Sequence, residues 1–154
     1  METLHARVRL QWSLRALIFA AVLAGIAYGA TLLLDLSDVV PLVVGAFTLL
    51  GLLGVAYAFA LYRRWRFDLE ADALYLVRGV VTHVETAVPY VRVQHVDTQR
   101  GPIDRLLGLA SVVVYTAGSR GADVTVPGLT PDRADELRNR LRELAIETEP
   151  DDGV

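Results

Sequence analysis

His95 and Asp97 are the pair most able to do chemistry by type and spacing. On a β-strand, positions i and i+2 share a face, and a carboxylate there can orient an imidazole for proton transfer. His83 and Asp104 are the other titratable residues that a fold would have to bring to them. The surrounding sequence argues against an active site. There is no cysteine, no G-x-S-x-G nucleophile motif and no glycine-rich loop to cradle a phosphate, and the three histidines lack metal-ligand spacing. The pair therefore reads as a polar strand face, and the sequence implies no enzyme, no catalytic or metal-binding residue and no cofactor.

The arginines are more informative. All 15 basic residues are arginine, and the chain of 154 residues has a net charge of −3. From Arg63 onward acids outnumber arginines, so there is no concentrated positive face of the kind nucleic acid requires. Arg7, Arg9 and Arg15 precede one apolar run, Ala16 to Leu34, and Arg63, Arg64 and Arg66 follow another, Val39 to Leu61. Each run is uncharged and long enough to cross a hydrocarbon core of about 30 Å as a helix. Only Asp35 to Asp38 joins them, so they predict a tight transmembrane hairpin, about 14–34 and 39–62, with both chain ends on one side. The arginine flanks make that side cytoplasmic and the protein a multi-pass protein of the plasma membrane. Trp12, Tyr62 and Trp65 stand where aromatic rings settle at the headgroups. A cleaved signal peptide is the competing reading of the first run, disfavoured by its length and by the second run that follows at once.

Within the runs, Gly25 and Gly29, and Gly54 and Ala58, place small residues four apart. In lipid such spacing lets helix backbones approach, within one hairpin or between subunits. No charged residue or histidine lies inside either run, which removes the usual marker of an ion pathway.

The organisation expected is a basic cytoplasmic tail at 1–11 lying at the headgroups, a hairpin at 12–62, a β-rich domain at 63–147 and an acidic tail at 148–154, read with Glu147 as disordered. Alternation of Trp65, Phe67 and Leu69 with charged residues, a turn at Ala71-Asp72, and then Leu74 and Leu76 predict a first β-hairpin. Val80 to Val88 should be a strand ended by Pro89. Val91 to Gln99 is another, and the slip of its apolar positions predicts a bulge near Gln94 and His95. Ile103, Leu106 and Leu107 suggest a helical turn closing the sheet, Ser111 to Thr116 a central strand, Gly118 to Gly121 a loop, and Val124 to Val126 a short strand stopped by Pro127. Thr130-Pro131-Asp132 starts a helix whose Ala134, Leu137, Leu141 and Leu144 form one apolar face across the sheet.

The stretch Pro89-Tyr90-Val91-Arg92-Val93-Gln94, followed by Gln99-Arg100-Gly101-Pro102-Ile103-Asp104-Arg105-Leu106-Leu107-Gly108, resembles the signature of the bacterial pleckstrin-homology-like membrane proteins, in which P-x-x-R-I-Q precedes Q-x-G-P-I-x-R-L-L-G. Val93 replaces the usual Ile, and Arg100 is a side chain other members need not share. The resemblance implies a membrane α-hairpin plus a PH-like domain, a bent antiparallel sheet or two sheets of about six or seven strands capped by a carboxy-terminal helix. It also implies a binding or assembly module rather than an enzyme.

Polar residues inside that signature divide into two sets. Arg92 and Gln94 read as supports of the bulge. Gln99, Arg100, Asp104 and Arg105 form a candidate interaction loop, with hydrogen bonding to the Gly101 turn an equally open reading of them. The acidic turn Glu70-Ala71-Asp72 would repel a phosphoinositide headgroup, so lipid contact falls to Arg63, Arg64 and Arg66, as a generic, salt-sensitive attraction. The expected partners are membrane lipids and either further copies of the chain or another membrane-complex protein, with no nucleic acid. The expectation is a non-enzymatic membrane protein presenting a PH-like interaction module at the cytoplasmic face. Its alternatives are a lipid-headgroup sensor or an accessory subunit of a transport or stress-response complex.

Overall fold

The computed structural model describes residues 1–118 and 123–148, so the expected loop at Gly118 to Gly121 and the acidic tail lie almost entirely outside the described residues. The chain divides into two compact units, one of residues 9–63 and the other of residues 1–8 with 64–154.

The first unit is a helical hairpin. Helix α1 spans Val8–Leu33 and α2 spans Val40–Arg64. Their mean hydropathies reach 2.2 and 2.4, so both are long and apolar enough to cross a membrane. Between them the chain turns at Asp35, which takes a left-handed φ of 53°, and the Leu36 amide donates to the Thr31 carbonyl at 2.8 Å, closing the end of α1. The two helices meet through small residues. A Cβ placed on Gly54 would lie 2.8 Å from the Ala16 methyl, and Gly51 faces Leu17 and Ala20. Arg9 lies over the rings of Phe59 and Tyr62, 5.4 and 5.1 Å from their centroids.

The second unit contains two antiparallel sheets. One has the order β1-β2-β3-β4, with β1 at Glu2–Thr3, β2 at Arg66–Leu69, β3 at Ala73–Arg78 and β4 at Val84–Pro89. The other has the order β5-β6-β7, with β5 at Val93–Gln99, β6 at Ala110–Thr116 and β7 at Val124–Leu129. A short helix α3, Pro102–Leu107, joins β5 to β6, and helix α4, Pro131–Thr148, packs on β5, β6 and the 3-10 turn at Tyr90–Arg92. Ala134, Leu137 and Leu141 are its buried face. Thr130 caps it by accepting from the Arg133 amide at 3.4 Å. Leu144 is only half-buried, and the helix runs through Glu147 and Thr148, which the sequence reading assigned to the tail.

The amino-terminal residues are not a tail at the headgroups. Glu2 and Thr3 pair with Phe67 and Arg66 on β2, and the His5 amide donates to the Gly128 carbonyl on β7 at 2.8 Å. Leu4 and Val8 are buried at 2% and 0% exposure. This strap therefore joins an edge of one sheet to an edge of the other, and the boundaries expected at 11/12 and 62/63 move to 8/9 and 63/64. Trp65 is likewise not a headgroup anchor. It is 4% exposed and stands edge-on to Phe67 at 6.2 Å, because the alternation that begins the first β-hairpin turns it inward.

Three strand boundaries depart from expectation for local reasons. β4 starts at Val84 rather than Val80 because Gly79, at φ +102°, turns the chain into a loop over residues 79–83. A Cβ there would meet the Thr82 carbonyl oxygen at 1.9 Å. Tyr90 to Arg92 form a 3-10 turn, so β5 begins only at Val93, and the expected bulge is present, with Gln94 the extra residue between Val93 and His95. Pro127 does not stop β7. That strand is at the edge of its sheet, and two residues, Pro127 and Gly128, oppose Ser111 alone, so the missing N–H falls in a bulge.

Candidate interaction surface

The signature loop after β5 is a self-capped unit. The Gly101 amide donates to Oδ2 of Asp104 at 2.8 Å, Pro102 opens α3, and Gly108 ends it at φ 63°. Asp104 is 6% exposed, so its carboxylate faces the helix it caps rather than an approaching partner. The other three residues of the loop stay at the surface with weak ties. Gln99 donates to the Tyr115 hydroxyl at 3.4 Å, Arg105 Nε to the Arg100 carbonyl at 3.4 Å, and Arg100 lies 3.8 Å from Asp135 on α4. Exposed pairs of this kind contribute a few tenths of a kcal/mol to about 1 kcal/mol each.

The four titratable residues considered for chemistry are not brought together. The His95 ring stacks on Tyr115, with centroids 4.1 Å apart and planes 17° apart, and no hydrogen bond joins it to Asp97 among the described residues. His83 is on the other sheet's β3–β4 connection, bonded to Glu85 at 3.0 Å, and Asp104 caps α3. Among the described residues no three histidines or carboxylates form a metal-binding group.

Arg92 holds the bulge through its backbone, its carbonyl accepting from the Ala117 amide at 2.8 Å, while Gln94 is exposed at the bulge itself. Tyr90, fully buried under α4, donates its hydroxyl to the Glu70 carbonyl at 2.8 Å. Burial, followed by the charge of Asp72, holds its phenol above the ordinary value of 10.0. The sequence alone does not single out Tyr90, which falls between the strands expected to end at Pro89 and to start at Val91. Arg133 is held by hydrogen bonds to both oxygens of Glu2, which raise its pKa and fasten the strap to α4. The Met1 ammonium lies 2.8 Å from Asp68 and lowers that carboxyl.

The sheet order ends at β1 and β4 in one sheet and at β5 and β7 in the other; among the described residues the longer outer edges of β4 and β5 have no partner strand, which leaves backbone donors and acceptors for another chain. Beside β5 runs a cleft of about 480 Å³ lined by Val93 to Val96 and by Arg142, Ala145 and Ile146 of α4. Ile146 departs from the apolar stripe of α4, and that departure is the signal in the sequence that marks this cleft. Arg63, Arg64 and Arg66 are all exposed, and none has an ion-pair partner among the described residues. Of the small residues in the hairpin, Gly54 and the buried Ala58 belong to the helix contact, whereas a Cβ on Gly25 or Gly29 would meet nothing within 4 Å.

Comparison with known proteins agrees with this architecture. The family described as Bacterial PH domain matches residues 13–145. The UPF0699 transmembrane protein YdbS of Bacillus subtilis (strain 168) is 33% identical over 111 residues, which covers 71% of this chain and 68% of that protein. No solved structure matches. With a helical hairpin preceding two antiparallel sheets and a closing helix, and with the match running through all of them, this chain belongs to the bacterial PH domain family.

Proposed function

We propose that this protein is a non-enzymatic, integral component of the plasma membrane that presents its PH-like domain at the cytoplasmic face for assembly with other proteins. The observation that carries the reading is the two strand edges, β4 and β5, that have no partner strand among the described residues of a domain joined at both ends to the helical hairpin. An edge strand binds an extended segment through its backbone, with side-chain clefts supplying selectivity. Confinement beside a membrane raises the effective concentration of neighbours, so that weak contacts suffice. The arginine flanks, and a turn whose charged residues are the acids Asp35 and Asp38, support the cytoplasmic orientation.

The test is the mass of the full-length protein purified in mild detergent, corrected for bound detergent. A multiple of the 16.9 kDa chain, or a co-eluting protein in fixed ratio, supports the proposal. A single chain with nothing attached contradicts it.

A further inference from the structure

Among the described residues of the domain unit, the two most exposed large apolar side chains are Val81, at 90%, and Leu106, at 78%. Scattered apolar side chains on a surface are ordinary. Their placement is not. Val81 is in the 79–83 loop, and the register puts that loop beside the start of β2, since Arg66 lies opposite Val77 and Val77 opposite Glu85. β2 begins two residues after Arg64, the last residue of α2. Leu106 is on α3, whose Leu107 carbonyl accepts from Arg7 at 3.4 Å, and Arg7 immediately precedes Val8, the first residue of α1. Each exposed apolar residue thus neighbours one of the two points where the chain passes between domain and hairpin.

Charge is arranged in the same sense. Arg64, Arg66, Arg78 and Arg105 share this end of the domain, while the acidic turn Glu70-Ala71-Asp72 is at the far end of the β2–β3 hairpin. Acids also belong to the basic end, among them Asp104, buried as the cap of α3. Glu2 is bound by Arg133, Glu85 by His83, and Asp132 is in the first turn of α4.

We propose that this end of the domain rests on the bilayer itself. Val81 and Leu106 enter the boundary between headgroups and acyl chains, and the four arginines meet lipid phosphates. The proposal rests on the reading that α1 and α2 span the membrane. An apolar tip among cations is the combination that binds an anionic interface. The acidic turn, at the far end of the β2–β3 hairpin, then faces the cytoplasm.

The chain has no cysteine, so single probes are placed without further engineering. Val81→Cys and Leu106→Cys, with Val91→Cys and Ile146→Cys as exposed controls and Ile26→Cys as a control within α1, are labelled with an environment-sensitive fluorophore. Each full-length variant is reconstituted into vesicles of phosphatidylcholine and phosphatidylglycerol. Nitroxide-bearing lipids should quench positions 81 and 106 at least about threefold more than 91 and 146 if the two tips enter the interface. Quenching at 26 with 81 and 106 no different from 91 and 146 overturns the proposal and leaves the spanning hairpin standing. No quenching at 26 overturns the spanning reading on which it rests.

Discussion

Gly128 closes against Val8: a Cβ on Gly128 would lie 2.5 Å from Cγ2 of Val8, and Gly128 itself has a φ of +64°. Val8, where the strap enters α1, is therefore seated on a bulge of the last strand of the domain, more than a hundred residues away in sequence. Gly128→Ala should cost about 2–4 kcal/mol, from left-handed strain together with overpacking against a buried valine. Adding Val8→Ala should recover part of the overpacking, so that the double variant is more stable than the sum of the single losses implies. Thermal unfolding of the four full-length proteins in detergent measures this coupling, and strict additivity would mean that the strap is not seated there.

Tyr90 ties the 3-10 turn to the first β-hairpin through Glu70. Tyr90→Phe should lose about 1 kcal/mol near neutral pH, the net worth of one hydrogen bond. The pH dependence has a definite sign. Burial raises the folded-state pKa above 10.0, so the unfolded chain loses this proton first. The contribution is complete below pH 10 and is lost as pH rises beyond it toward the folded value. Denaturant titrations across the alkaline range should show a steeper loss for the parent chain than for Tyr90→Phe.

Asp104 and Arg105 are adjacent but should respond differently. Asp104→Ala removes the cap from α3 and leaves the Gly101 amide unpaired, at a cost of about 1–2 kcal/mol. Arg105→Ala should change stability by less than about 0.5 kcal/mol, since its side chain is exposed. Equal losses at the two positions would contradict the division of this loop into an inner cap and an outer surface.

Gly54 and Gly25 make a similar contrast within the hairpin. Gly54→Ala brings two methyl groups to 2.8 Å and must separate the helices, lowering stability by about 1–3 kcal/mol. Gly25→Ala meets open space and should leave the hairpin unchanged. Unfolding in graded denaturing detergent separates the two cases.

What could be read from the sequence follows from the range of the interactions. The two long helices were legible because long uncharged runs of this kind favour helix locally, and α4 because its cap, proline and apolar stripe are all local. The slip between Val93 and Val96 gave away the bulge at Gln94. The strap was hidden because its partners, Phe67 and Gly128, lie beyond the hairpin. Leu4 and Val8, which it buries, are single apolar residues in a basic stretch and mark no element by themselves. Pro127 misled because the rule that proline ends a strand assumes a paired neighbour on that side. Asp104 stood evenly between an interaction loop and hydrogen bonding to the Gly101 turn, because its capping bond depends on a backbone amide, which residue type does not reveal.

The central claim is that the strap and the domain lie together on the cytoplasmic side, with the α1–α2 turn across the membrane. Single cysteines at Ala6, Ser37 and Thr82, challenged with a membrane-impermeant maleimide on intact spheroplasts, test it directly. Ser37→Cys should react at once, and Ala6→Cys and Thr82→Cys only after lysis. Labelling of Ala6→Cys or Thr82→Cys in intact cells, or protection of Ser37→Cys, would contradict the account.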